Sequence, residues 1–271
     1  MGERTLGLDV SFYQDYNGTP QQIDFEKAKA NGAKFVIIRA SQGLTTDPDL
    51  EYNMINAKKA GLITDMYHFW DYRISSSKQA IHFAELCSQY KPDMPPVLDF
   101  EKHRDWPLPY YASTLAGIKL FTETFKDAYG KAMMFYTNPN TIKYHFGYNR
   151  IPEWLLALDL WIAQYPPVGS DLSEIEPDFY PWATYKFWQW TDREDGLAFG
   201  MESKQVDANY FNGSEDDLRE YANMGEEEIP EPPVPTPTPC ECPEIDWGSL
   251  REQLETLEAL TADISEMIGG L

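Results

Sequence analysis

The chain has 271 residues, 42% of them hydrophobic and 14% aromatic, enough for one large domain with a sizeable core and a small appendage. A formal net charge of -22, with no long run of Lys or Arg, argues against nucleic acid and against anionic membranes as partners. No apolar run approaches the ~20 residues of a membrane-spanning helix, and three cysteines without a paired framework do not imply a disulfide-stapled fold.

Strand-like runs and helical patterns then alternate. RTLGLDVS (4–11) is a short strand, and IDFEKAKANG (23–32) reads as a helix stopped by Gly32. KFVIIRAS (34–41) is a strongly apolar strand, followed by a helix over 48–61 and a third strand, ITDMYHFW (63–70). A Ser-capped helix over 75–90 holds Cys87 as a small buried apolar residue. PPVLDFE (95–101) is the fourth strand. A long helix over 110–130, closed by Gly130, leads to the fifth strand, KAMMFYT (131–137), and a short helix over 138–146 with Pro in its first turn.

After this the rhythm changes. LWIAQY (160–165), YKFWQWT (185–191) and KQVDAN (204–209) are strand-like, with mostly irregular segments between them. Alternating βα units imply a parallel sheet, and eight strands suggest closure. The expected fold is α/β: an irregular TIM-like barrel of eight strands and about five outer helices. An open doubly wound sheet is the alternative, weakened because no G-x-G-x-x-G follows the first strand.

The barrel should occupy residues 1–224. Residues 225–244 form a Pro- and Glu-rich linker, expected to be extended and semi-rigid. Residues 245–271 read as a short amphipathic helix, with Leu250, Leu254, Leu257, Thr261, Ile264 and Ile268 at alternating four- and three-residue steps. That is a heptad seam, so self-association through 247–268 is expected, with docking onto the barrel or a partner as the alternative. Cys240 and Cys242 form C-x-C in the linker; no His stands nearby to complete a zinc site, and interchain disulfides are one reading. The N-terminus shows no apolar signal-peptide core, and Leu6 stands where a myristoylation signal needs Ser or Thr.

The informative stretch is PPVLDFEKHRDW (95–106), where an apolar strand ends in two carboxylates, Asp99 and Glu101. Residues two apart on a strand share a face, ~6–7 Å apart, so Phe100 between them should face outward to the helices. Asp9 ends the first strand and Asp207 the last. In barrels of this type the carboxyl ends of the strands carry the active site. Four carboxylates from three distant segments would meet at one mouth, at a cost in repulsion that a function must justify. The same mouth would receive Arg39 and Ser41, Tyr67 and Phe69, Tyr136 and Asn138, Gln164 and Tyr165, and Gln189 and Trp190. An acidic, aromatic, hydrogen-bonding cleft suits glycoside hydrolysis: a proton donor, a carboxylate to stabilise positive charge, and stacking surfaces. Taken singly, D-x-E is more often a solvated strand end. A carboxylate metal site is the competing reading, and the aromatics favour sugar.

These residues resemble those of the family 25 glycoside hydrolases, the lysozymes (muramidases) found in Chalaropsis fungi, bacteria and phage endolysins. The resemblance runs in order through GLDVSFYQ (7–14), FVIIRASQGLTTDP (35–48), AKKAG (57–61), YHF (67–69), PVLDFE (96–101), LWIAQY (160–165), FWQWT (187–191) and VDANYF (206–211). It implies cleavage of the β-1,4 bond between N-acetylmuramic acid and N-acetylglucosamine in bacterial peptidoglycan, without a cofactor. By position, Glu101 looks like the general acid and Asp99 the carboxylate that stabilises the oxocarbenium-like state or an acetamido-derived intermediate. Asp9 and Asp207 look like supporting acids. The chain departs from the common pattern with Asp65 and Met66 in place of Gly-Ala before Tyr-His-Phe, and with Gln42 in place of Glu. The resemblance also suggests action on the bacterial cell wall, with a phage origin and release from the host cytoplasm expected from the missing leader, or secretion otherwise. A non-catalytic wall-binding module with a multimerising tail is the alternative, opposed by the intact acid set.

Overall fold

The computed structural model describes residues 2–14, 23–102 and 110–223. The strands are β1 (Thr5–Val10), β2 (Phe35–Gln42), β3 (Thr45–Thr46), β4 (Ile63–Phe69), β5 (Val97–Asp99), β6 (Met134–Thr137), β7 (Leu160–Ala163), β8 (Phe187–Asp195) and β9 (Gln205–Phe211). They run in the order β1-β9-β8-β7-β6-β5-β4-β2, and a β1–β2 pairing closes the ring, so eight strands make a barrel. The two-residue β3 lies outside it, folded back on the end of β2. The helices are α1 (Phe25–Ala30), α2 (Leu50–Lys59), α3 (Ser76–Tyr90), α4 (Tyr111–Tyr129), α5 (Glu153–Leu156) and α6 (Glu215–Asn223).

Period-two alternation within the strands separates two cores. The outward positions, including Leu8, Val36, Ile38, Leu98, Phe135 and Ile162, pack against Phe83, Phe121 and Phe125 of α3 and α4. Phe100 belongs to this outer layer as expected, fully buried with its ring 5.5 Å from those of Trp70 and Phe146. The inward positions Phe35, Ile37, Val97, Met134, Trp161 and Phe187 fill the barrel itself. Gly7 is one of these positions, and a Cβ there would stand 2.5 Å from the Phe35 ring, so the filling depends on the missing side chain. At the amino end of the parallel strands, Leu218 and Tyr221 of α6 close the floor, with Tyr221 beside Phe187 and Phe211.

Local chemistry places the ends. The Asp24 carboxylate accepts from the Lys27 N–H and caps α1. Gly130, at φ 83°, takes the left-handed conformation that stops α4. Cys87 is a buried free thiol.

Two expectations are corrected. The last strand is not parallel: β9 runs antiparallel to both β8 and β1. Its connection from β8, residues 196–204, is a hairpin too short for the crossover that a parallel neighbour needs. The fourth strand is short, so Glu101 lies just beyond it. The expected short helix over 138–146 is present, with Pro139 in its first turn and the π form over Thr141–Phe146. Neither α5 nor α6 was expected, although Leu218, Tyr221 and Ala222 follow helical spacing. Among the described residues, no helix is long and apolar enough to cross a membrane. The linker with Cys240 and Cys242, the heptad segment, and the residues 103–109 that follow the D-x-E pair lie outside the described residues.

Candidate active site

The mouth is built from the last inward-facing positions of the strands. On β1 that position is Asp9, whose Cα pairs with Ile37 on one side and Asp207 on the other. On β5 it is Asp99, paired with Phe69 and with Tyr136. Asp207 sits near the start of β9 rather than at a strand end. It still reaches the mouth, because an antiparallel strand begins where its neighbours finish.

Gln189 on β8 joins the group. Its Nε2 donates to Asp9 Oδ2 at 2.8 Å and to Asp207 Oδ2 at 3.2 Å. Its Oε1 accepts from the hydroxyls of Tyr136 (2.9 Å) and Tyr165 (2.8 Å). This orientation of the amide gives Asp9 a donor and both tyrosine hydroxyls an acceptor. Asp9 also accepts from Asn209 Nδ2 at 2.8 Å, and Asn209 is held by Trp161 Nε1 at 2.8 Å. Asn209 and Trp161 were not anticipated as supports. The alternation in VDAN places Asn209 on the same face as Asp207, and that signal was readable.

Burial raises the acids, and their mutual charge raises them further. Asp9 is pushed up to about 6 by burial, against the lowering pull of hydrogen bonds from Asn209, Gln189 and Asp207. Asp207 is held well above the ordinary carboxylate range by burial and by the charges of Asp9, Asp192 and Glu101. Asp99 is raised by burial, Glu101 and Asp9, with Arg39 opposing; its Oδ1 is buried with no partner among the described residues. Glu101 is raised to about 7, by burial first and then by Asp9. Such a cluster titrates as one system.

Arg39, only 6% exposed, flanks the acids. Its Nε donates to Asp47 Oδ2 at 2.7 Å, and its guanidinium lies over the Phe12 ring at 4.5 Å. Tyr67 carries its ring edge-on to Trp161, with centroids 6.2 Å apart. Burial, Asp9 and Asp99 raise its phenol, against Arg39.

Other expected residues have different work. The Asn138 side chain accepts from the Thr141 N–H at 2.9 Å and caps the turn after β6. The exposed Gln164 accepts from the Asp178 N–H at 2.6 Å, fastening the loop after β7. Trp190 is not in the mouth: like Trp188 it faces the outer side, stacked on Tyr210 at 5.6 Å, because alternation gives the inward position to Gln189 and the strand bulges there. Ser41 also faces outward, hydrogen-bonded to His68 Nδ1 at 2.8 Å; burial pushes that imidazole down to about 3, so it is neutral. Among the described residues, no group of three or more His, Cys, Asp or Glu is arranged to hold a metal ion.

A closed barrel with buried, proton-retaining carboxylates at the carboxyl ends of its strands, beside tyrosines and a glutamine, has the make-up of an acid-catalysing hydrolase of sugars. Residues 8–196 match the family described as glycosyl hydrolases family 25. Lysozyme M1 of Streptomyces globisporus is 30% identical over 230 residues, spanning 80% of this chain and 71% of that protein. The N,O-diacetylmuramidase of Arthroderma benhamiae is 27% identical over 237 residues, spanning 81% and 87% respectively. A family 25 glycosyl hydrolase structure from Bacillus anthracis aligns with a TM-score of 0.65 at 25% identity, covering 80% of this chain and 93% of that one. The chain belongs to glycosyl hydrolases family 25.

Proposed function

We propose that this protein is a lysozyme, an N-acetylmuramidase that cleaves the β-1,4 bond between N-acetylmuramic acid and N-acetylglucosamine in bacterial peptidoglycan. One observation carries the assignment of roles: Glu101 stands partly exposed beyond a strand end, in a mouth where burial and Asp9 hold its proton up to about 7. A carboxyl protonated near neutrality is a general acid, able to give its proton to the glycosidic oxygen as the bond to C1 breaks. Positive charge then grows on C1 and the ring oxygen. Asp99, the last residue of β5 and buried, is the carboxylate that answers it, either directly or by steering the 2-acetamido group onto C1. Asp9 and Asp207 fix the charge pattern around Glu101, and Gln189, Tyr136 and Tyr165 hold them in place. The name and family of the relatives support the substrate, and the acid set supports the chemistry.

The site of action is then the bacterial wall. The heptad seam Leu250, Leu254, Leu257, Thr261, Ile264 and Ile268 would add avidity by joining copies of the chain. The test is to incubate the protein with purified peptidoglycan and identify the new reducing ends. N-acetylmuramic acid ends are expected from wild type and not from Glu101→Gln. No release by wild type, or full activity in the variant, would sink the assignment.

A further inference from the structure

Beside the acids, over the ends of β1, β2 and β4, lies a cavity of about 340 Å³ lined by Phe12, Arg39, Thr45, Asp47, Asp71 and Arg73, among others. Unlike the acid set, it carries two guanidiniums, each paired with an aspartate of the same lining. Arg39 is almost wholly buried, yet only its Nε–H finds an acceptor among the described residues, in Asp47. Arg39 lines the cavity. The group is rigidly placed: Asp47 also accepts from the N–H of Phe12 at 3.2 Å and of Asp49 at 3.0 Å, and the rings of Phe12 and Tyr13 lie 4.5 and 5.1 Å from the guanidinium. Arg73 is held by two bonds to Asp71, at 2.9 and 2.7 Å, while 53% of its side chain stays exposed. Leu44 and Ile74, 47% and 36% exposed, add an apolar rim.

A glycan bound across the mouth must place its anionic branches somewhere. The charge on Asp9 and its acidic neighbours disfavours a carboxylate in the rest of the mouth. Two preset guanidiniums with aliphatic neighbours suit a carboxylate carried on a short, methyl-bearing chain. We propose that this cavity takes the carboxylate-bearing branch at the 3-oxygen of the muramyl unit, with Arg39 as its buried anchor and Arg73 as its exposed one. This deepens the muramidase reading and rests on it. The carboxylate is either that of the lactyl group itself or one on the peptide stem attached to it, and both present the same chemistry to the guanidiniums.

The experiment measures kcat/KM of the full chain on soluble muramyl oligosaccharides of equal length in three forms. One carries a peptide stem with free carboxylates, one has its stem removed to leave the lactyl carboxylate, and one has that lactyl carboxyl as a methylamide. At least one carboxylate form should exceed the neutral form by about tenfold, the scale of one charge-assisted hydrogen bond. Preference for the first form assigns the stem as the source, and preference for the second assigns the lactyl group. In Arg73→Gln and Arg39→Lys the ratio should fall below about twofold. Arg73→Gln decides alone if Arg39→Lys unfolds, since Arg73 sits at the surface. Equal rates on all three forms in wild type, or a ratio that survives in the folded variants, would overturn the proposal. Cleavage without discrimination leaves the muramidase reading standing. Absence of cleavage removes that reading and this proposal with it.

Discussion

Replacing Glu101 by Gln should remove activity and raise stability, but the second effect should appear only at high pH. The Glu101 carboxyl is held at about 7 in the folded chain against an ordinary 4.5. Between those values the native state binds the proton that the unfolded chain has already lost. Stability therefore falls as pH rises through this window, and the whole fall is present above it. The full difference corresponds to about 3 kcal/mol at pH near 8 and almost nothing at pH near 4. Gln is a neutral isostere, so it behaves like the protonated acid at every pH. The variant should thus match wild type near pH 4 and exceed it by up to about 3 kcal/mol near pH 8. The realised gain will be smaller, because Asp9 and Asp207 rearrange their shared proton when a neighbouring charge disappears.

Urea unfolding followed by tryptophan fluorescence, for both proteins at both pH values, measures the gap directly. Wall hydrolysis in parallel should fall by about a hundredfold or more in the variant, the usual contribution of a general acid. A gap of equal size at both pH values would show that Glu101 affects packing and not proton binding. A variant less stable than wild type at pH 8 would refute the reasoning outright.

Wild-type hydrolysis should decline as pH passes about 7, where Glu101 loses its proton, and a flat profile to pH 9 would remove it as the acid. Gln189→Leu strips two donors from the carboxylates and the acceptor from Tyr136 and Tyr165, so it should cost about 3 kcal/mol and at least tenfold in rate. An unchanged melting temperature would contradict this central role. A chain ending before Gly225 should elute as a monomer where the full chain elutes as an oligomer; identical sizes would end the heptad argument.

Much of the barrel was readable because its strands are apolar runs separated by amphipathic helices with Gly stops. The acids were readable because Asp9, Asp99 and Asp207 interrupt apolar strands at places where nothing but function tolerates a charge. What was missed depended on chain direction and facing. The period-two rule applied to FWQWT gives either both tryptophans or the glutamine to the mouth. The structure gives it to Gln189. Asn138 and Gln164 sit at strand ends as expected, but the Asn138 amide bonds to nearby backbone, a local competition polar residues commonly enter, and the Gln164 amide bonds to the backbone of the loop after β7. The antiparallel β9 left no mark in its own composition; it follows from the short connection before it.

That reversed strand has a consequence for catalysis. Antiparallel register sets Asp9 and Asp207 directly opposite each other. Like charges so placed destabilise a sheet, and sharing one proton relieves the repulsion. Burial and the neighbouring charges favour the proton on Asp207, while Asp9, served by Gln189 and Asn209, is the member fit to carry the charge. The charge on Asp9 in turn helps hold the proton on Glu101. Asp9→Asn should accordingly lower the Glu101 value, because burial would then act without the neighbouring anion. Burial is the larger cause, so the value should move only part of the way back toward 4.5. The measurement is the alkaline limb of the pH–rate profile of the variant's residual hydrolysis, which should shift to lower pH than in wild type. A limb that stays in place, or moves up, would mean that Asp9 is uncharged in the working enzyme, and the proton assignment between Asp9 and Asp207 would have to be reversed.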